Sequence, residues 1–190
     1  MDKKSIRQWA RKQRDALPED EYIAFSARIM QTLLDVLEHH YPSPIQLLTY
    51  HAFGREVNTN ALFAGATHET YVPSVPDEVH MQWWYVEPGT EWQMGRFGIN
   101  EPVSDVLWEP SEAVSTIVIC PLTAFDRSGN RVGMGKGYFD RWLAEHGQDV
   151  DAVIGLAFSC QEVPAIPAEP HDIPLSRIIT EKESIVCPQV

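Results

Sequence analysis

Thr116-Ile-Val-Ile-Cys120-Pro-Leu-Thr-Ala-Phe-Asp126-Arg-Ser-Gly129-Asn-Arg131-Val-Gly133-Met-Gly135-Lys136-Gly137-Tyr-Phe-Asp140-Arg141-Trp-Leu-Ala-Glu145 is the stretch on which the reading of the fold turns. Its first five residues are apolar or β-branched and stop at a proline, the pattern of a buried strand. Residues 126–137 carry Gly129, Gly133, Gly135 and Gly137 and read as a loop. Residues 137–145 read as a helix. In open α/β sheets ligands bind at the carboxyl ends of strands, so this loop lies where a ligand would.

The flanking chain repeats the alternation of strand and helix. A helix is expected over 3–16, with Asp2 as N-cap, and Pro18 ends that segment. Glu19, Asp20 and Glu21 open a second helix with the sign its dipole prefers. Tyr22, Phe25, Ile29, Met30, Leu33, Leu34 and Leu37 give that helix one apolar face, closed off by Pro42 and Pro44. Residues 45–50 read as a short buried strand, and 58–66 as a short helix capped by Asn58 or Thr59. Further strands are expected at 70–75, 79–86, 152–158 and 176–180. Residues 87–101 read as a long loop, and 164–174 as a proline-rich connector. The whole predicts an α/β fold: one domain over 1–190, three layers α/β/α, with a mostly parallel central sheet. A chain of this length buries roughly 70% of its unfolded surface, enough for a core.

The net charge of −12, from 15 Lys+Arg against 27 Asp+Glu, excludes a protein that coats nucleic acid. No polybasic helix or lipid anchor suggests a membrane partner. At 44% hydrophobic and 22% charged residues the chain is not an acidic disordered one. The charge is uneven. Residues 1–14 carry +5, 15–125 carry −13, 126–141 return to +2, and 142–190 carry −6. Ten of the 15 cations thus lie in two short windows, which suggests a local anion site. On charge alone, the first window reads first as a solvated helix face. Met1–Arg7 is charged and leads into no apolar run, so no signal peptide is expected. Cys120, Cys160 and Cys187 form no CxxC pair. Cys120 and Cys160 lie in apolar runs and are expected to be buried, and the cytoplasm fits best. His39, His40, His68, His80 and His146 show no ligand spacing.

The glycine loop is not a Walker A loop, because position 130 is Asn and position 137 is Gly. It does not match GxGxxG either, the third glycine coming one residue early. It reads as a phosphate-binding loop or as a plain glycine-rich turn. Arg131 and Lys136, two mobile cations inside it, favour the former. Asp140, in the first turn of the following helix, suits a nucleotide's Mg²⁺ or simply the helix dipole.

The segment 125–141, from Phe125-Asp126 through Gly133-Met-Gly135-Lys136-Gly137-Tyr138-Phe139-Asp140-Arg141, resembles the signature of the 5-formyltetrahydrofolate cyclo-ligase family. Lys3-Lys-Ser-Ile-Arg7 resembles the family's basic N-terminal helix, and Tyr50 to Glu56-Val57 the segment after its first strand. Gly95-Arg-Phe97-Gly-Ile-Asn-Glu101-Pro102 resembles its central loop. Residues 155–158, Gln161 and Glu169-Pro-His171-Asp172 resemble its C-terminal part, so the likeness covers nearly the whole chain. The resemblance implies use of ATP and Mg²⁺ to convert 5-formyltetrahydrofolate, with or without a polyglutamate tail, into 5,10-methenyltetrahydrofolate. ADP and phosphate are released, through phosphorylation of the formyl oxygen and attack by N10.

It further implies that Lys3, Arg7, Arg131, Gly133, Met134, Gly135, Lys136, Gly137, Tyr138 and Phe139 contact the nucleotide. His51, Glu56, Phe97, Met134 and Tyr138 would face the folate, and Asp140 and Asp172 would serve Mg²⁺. Lys136, Arg131 and Glu56 are the expected catalytic groups, and the expected state is a monomer. Without the resemblance Glu56 would read as an ordinary loop carboxylate. Phe139 stands where the family usually has a second Tyr, Ile6 replaces a common Leu, and the family often has a different aromatic at Phe97. Two other readings use the same loop: a sugar-phosphate isomerase or acyl-CoA transferase on a similar sheet, and a catalytically silent binding paralogue. The joint presence of Glu56, Arg131, Lys136, Asp140 and Asp172 argues against silence.

Overall fold

Helix α1 (Lys3–Asp15) starts at its expected cap, where the Asp2 carboxylate accepts the Ser5 N–H at 2.7 Å. The computed structural model describes residues 1–63, 68–169 and 172–188. Only a narrow stripe of α1 is apolar. Ile6 and Ala10, four residues apart, pack with Ala124, Val132, Val163 and Ile166. The helix therefore rests beside Ala124 and Val132, just before Gly133, away from the main core, and Arg7 reaches the glycine loop. Helix α2 (Glu19–His40) instead covers the main sheet. Ile29, Met30, Leu33, Val36 and Leu37 pack on Ile45, Leu47, Ile117, Ile119, Ile154 and Leu156. Leu34 of the expected face points outward, at 39% exposure.

The strands are β1 (Ile45–Leu48), β2 (Glu69–Ser74), β3 (Gln82–Val86), β4 (Glu91–Met94), β5 (Asn100–Val103), β6 (Ser115–Pro121), β7 (Ala124–Phe125) and β8 (Arg131–Val132). Helix α3 (Tyr138–His146) follows, then β9 (Ala152–Leu156), β10 (Arg177–Ile179) and β11 (Ser184–Val186). Seven strands form one sheet in the order β11-β10-β9-β6-β1-β2-β3. The inner five are parallel, and the edge strands β3 and β11 pair antiparallel. Trp142 and Leu143 of α3 pack on the face opposite α2, with Trp83, Trp108, Val118, Cys120 and Val153. Helices thus flank a mostly parallel sheet, as the alternation predicts. From β1 the chain moves one way along the sheet to β2 and β3. From β6 it moves the other way to β9 and β10. The strand order therefore reverses between β1 and β6, and the crevice at their carboxyl ends is the natural binding place.

Several local expectations need correction. The predicted loop 87–101 holds β4 and the start of β5, which form a hairpin with Trp92 opposite Pro102 and Gln93 opposite Glu101. Its strands are largely exposed and show no apolar alternation, so nothing in the pattern separated them from loop. The predicted loop 126–137 includes β8, which pairs with β7 just before the loop. The Asp126 carboxylate closes this turn, accepting from the Ser128, Asn130 and Ile166 N–H groups. The expected helix at 58–66 is a 3₁₀ turn over Asn60–Phe63, and 64–67 lie outside the described residues. The strand expected from 79 begins at Gln82, because the Asp77 carboxylate holds the Val79 and His80 N–H groups in a turn. Strand β11 was not expected, being three residues long. Cys120 and Cys187 are buried, but Cys160 is half-buried in a 3₁₀ turn, and all three are free thiols. No helix among the described residues is long and apolar enough to cross a membrane.

Candidate active site

A cleft of about 410 Å³ opens at the carboxyl ends of β1 and β6, where Tyr50, His51, Cys120 and Pro121 form part of its lining. The glycine loop forms one wall. Gly135 and Gly137 have φ of 93° and 71°, left-handed backbone that glycine adopts without a steric cost. Gly135 has a second requirement. A Cβ there would meet the Arg7 guanidinium at 3.2 Å, and Arg7 Nε donates to the Gly133 carbonyl at 2.7 Å. Helix α1 thus lays a cation across the loop. Lys136 is exposed, with its ammonium 5.4 Å from the centre of the Phe97 ring. Met134, 44% exposed, sits at the same wall.

The far end of the loop is strapped down. The Tyr138 hydroxyl donates to the Asp77 carbonyl at 3.0 Å. Arg141 donates to the carbonyls of Lys136 at 2.9 Å and Val79 at 3.1 Å. The Phe139 ring packs edge-on against Trp83 with centroids 5.8 Å apart.

Carboxylates and cations are interleaved behind the loop. Arg131, expected as a mobile cation, is held in place: its side chain is 6% exposed, and its guanidinium lies 2.5 Å from Asp140 and donates to the Ile173 carbonyl. Strand β8 fixes its backbone, which is why the side chain points inward beside α3. Lys3 Nζ lies 2.6 Å from Asp172 and 2.7 Å from Glu169. Burial alone would lower the Lys3 pKa, but these two carboxylates outweigh it and the net direction is up. Asp140 and Asp172 therefore line the same cleft, each against a cation. Among the described residues no group of three His, Cys, Asp or Glu could hold a metal by itself. His171, quoted with the C-terminal resemblance, lies outside the described residues.

The opposite wall comes from the segment after β1. Glu56 is buried, and its carboxylate accepts the Phe53 N–H at 3.0 Å. Burial pushes its pKa up, with the Phe53 N–H, Arg14 and Arg11 pulling the other way. Tyr50 donates to the Val57 carbonyl at 3.0 Å, and Tyr22 to the Glu56 carbonyl at 3.0 Å, so this loop is fixed from two sides. His51 stacks on Phe63 at 5.9 Å and meets Trp92 edge-on at 5.1 Å, joining the segment to the β4–β5 hairpin. Phe97, at the tip of that hairpin, is half exposed and has φ 63° and ψ 8°. Such a conformation is strained in an aromatic residue. The Tyr138 ring lies 6.1 Å away.

All the residues singled out in the sequence as a site thus meet at one cleft. Sequence reasoning missed three residues that shape it: Trp92, Glu101 and Arg141. Glu101 reaches it, and Trp92 backs its His51, only through the hairpin register, which no periodicity announced. Arg141 carried one signal, a cation a single turn past the glycine loop.

A model of the 5-formyltetrahydrofolate cyclo-ligase family matches residues 1–181. The 5-formyltetrahydrofolate cyclo-ligase of Haemophilus influenzae is 34% identical over 159 residues, covering 80% of this chain and 82% of that protein. The Escherichia coli K12 protein of the same name is 39% identical over 93 residues, 49% of this chain and 51% of that one. The solved structure of 5,10-methenyltetrahydrofolate synthetase from Aquifex aeolicus has a TM-score of 0.82 and 29% identity, covering 100% of this chain and 95% of that one. With the glycine loop, its cations and the buried carboxylate in place, this chain belongs to the 5-formyltetrahydrofolate cyclo-ligase family of ATP-dependent ligases.

Proposed function

We propose that the chain converts 5-formyltetrahydrofolate to 5,10-methenyltetrahydrofolate, with ATP as phosphoryl donor and release of ADP and phosphate. The observation that carries this reading is the Lys136 ammonium lying 5.4 Å from the Phe97 ring. A group suited to a transferring phosphoryl and a ring suited to a flat heterocycle share one wall. A formamide oxygen is a poor leaving group. Phosphorylation of that oxygen yields an N5 iminium phosphate, N10 attacks its carbon and loses a proton, and phosphate leaves as the C–O bond breaks. The protein's work is positioning and charge neutralisation.

The chain's residues divide that work. The backbone of 133–139 and Arg7 form the cradle for the nucleotide phosphates, since the space a Cβ would fill at Gly135 is taken by the Arg7 guanidinium. Met134, Tyr138 and Phe139 lie where nucleotide and folate meet. Lys136 and Arg131 neutralise charge on the transferring phosphoryl, Lys136 from the exposed side and Arg131 from the buried side. Asp140 and Asp172 fit Mg²⁺, because a nucleotide's magnesium commonly takes one or two carboxylates and completes its shell with phosphate oxygens and water. The metal supplies charge neutralisation at the phosphates. Lys3, held by Asp172 and Glu169, would stand beside the nucleotide phosphates. Glu56, whose pKa burial raises, hydrogen-bonds pterin N–H groups or manages a proton. His51 and Phe97 complete the folate side. Residues 1–190 act as one domain in this reading.

The test is the absorbance of the methenyl product when protein, MgATP and 5-formyltetrahydrofolate are mixed. A rise matched by one ADP per product is expected. No rise from folded protein would sink the reading.

A further inference from the structure

The tip of the β4–β5 hairpin is held in a way that the reaction residues alone do not explain. Phe97 is the one non-glycine residue with positive φ among the described residues. Strain of this kind persists only where the surroundings over-determine it. Here the Gly95 N–H donates to the Ile99 carbonyl at 2.9 Å, closing the turn. The Glu101 side chain is folded against Gly95, so that a Cβ built there would overlap its carboxyl group. The same carboxyl accepts the Val75 N–H at 3.0 Å, just past the end of β2. Glu101 therefore ties the turn that carries Phe97 to the central sheet. The glycine loop is anchored separately, through Arg141 and Tyr138 on 77–79 and through Arg7 on Gly133.

We infer that Glu101 is a positioning residue for the folate side of the cleft, acting through the Gly95 turn to hold the Phe97 ring against Lys136. The acceptor oxygen matters, and the negative charge does not, because the partner is a backbone N–H. This rests on the proposed cyclo-ligase activity. It assigns to Glu101 the affinity for the flat substrate and leaves the anchoring of the nucleotide wall to Arg7, Tyr138 and Arg141.

The test uses the full chain and steady-state kinetics with both substrates. Losing a hydrogen bond to a charged group commonly costs enough for a factor of ten, so Glu101→Ala is expected to raise KM for 5-formyltetrahydrofolate about tenfold. KM for ATP and kcat should change less than about threefold, the loop being anchored elsewhere. Glu101→Gln keeps the acceptor and should stay within about threefold of wild type in all constants. Gly95→Ala displaces the same carboxyl and should match Glu101→Ala, and the double variant should be no worse than either single one. Fluorescence titration with 5-formyltetrahydrofolate in the absence of ATP should follow the same order. An unchanged folate KM in Glu101→Ala, a Gln variant as poor as the Ala one, or additive effects with Gly95→Ala would each overturn the assignment. Wild-type turnover, run alongside, separates its failure from failure of the proposed activity.

Discussion

Replacing Arg131 by Met tests whether this cation is a structural tie as well as a phosphate partner. The aliphatic stem is roughly preserved, so little cavity arises and the loss is chiefly electrostatic. Removing one partner of a buried pair costs about 3–5 kcal/mol. Asp140 keeps 31% of its side-chain exposure, so water relieves part of that. About 2 kcal/mol is the reasonable share after screening. The Ile173 carbonyl also loses its donor, for about 1 kcal/mol. Together these give ~3 kcal/mol, or a Tm lower by about 6–12 °C for a chain of this size. Urea unfolding at neutral pH, without nucleotide, reads the difference as a lower midpoint at unchanged slope. Asp140→Asn in the Arg131→Met background should recover about 1 kcal/mol, because the stranded charge is then gone. A midpoint for Arg131→Met equal to wild type, or strict additivity with Asp140→Asn, would refute the assignment of Arg131 as a buried tie.

Other predictions separate binding, chemistry and stability. Lys136→Ala should lower kcat by at least about 100-fold, with Tm within about 1 °C of wild type, since Lys136 is exposed and its ammonium faces the Phe97 ring. Differential scanning calorimetry and product absorbance check both halves. Gly135→Ala should cost about 1–2 kcal/mol for the positive φ alone, and should weaken nucleotide binding by crowding Arg7, as calorimetric titration with ATP would show. Glu56→Gln should raise stability by about 1 kcal/mol near neutral pH while lowering turnover. The sign follows from burial: the folded-state pKa of Glu56 lies above its ordinary value, so ionised Glu56 is a liability. Its stabilising contribution is present below the unfolded-state pKa and is lost as pH rises through the folded-state one. The advantage of the Gln variant should therefore shrink as pH falls through the carboxylate range, which urea midpoints at several pH values would reveal.

By itself the sequence determined the layered architecture and the place of the glycine loop after a buried strand. Strongly apolar strands such as 116–120 and the amphipathic 19–40 helix carry their own signal, because burial imposes a period on them. The clustering of cations at 1–14 and 126–141 was visible in the sequence, but charge alone read the first cluster as a solvated face. Tertiary structure decided how those groups are used. The Ile6–Ala10 stripe docks α1 beside β7 and β8, and so brings Lys3 and Arg7 to the loop. Strand β8 turns Arg131 inward onto Asp140, where composition suggested a mobile cation. The hairpin at 91–103 was illegible, since its exposed residues carry no alternation, and Glu101 and Phe97 owe their places to its register. Local patterns report which faces are buried, whereas the partner of each charged side chain depends on residues up to 169 positions away, as Lys3 and Asp172 show.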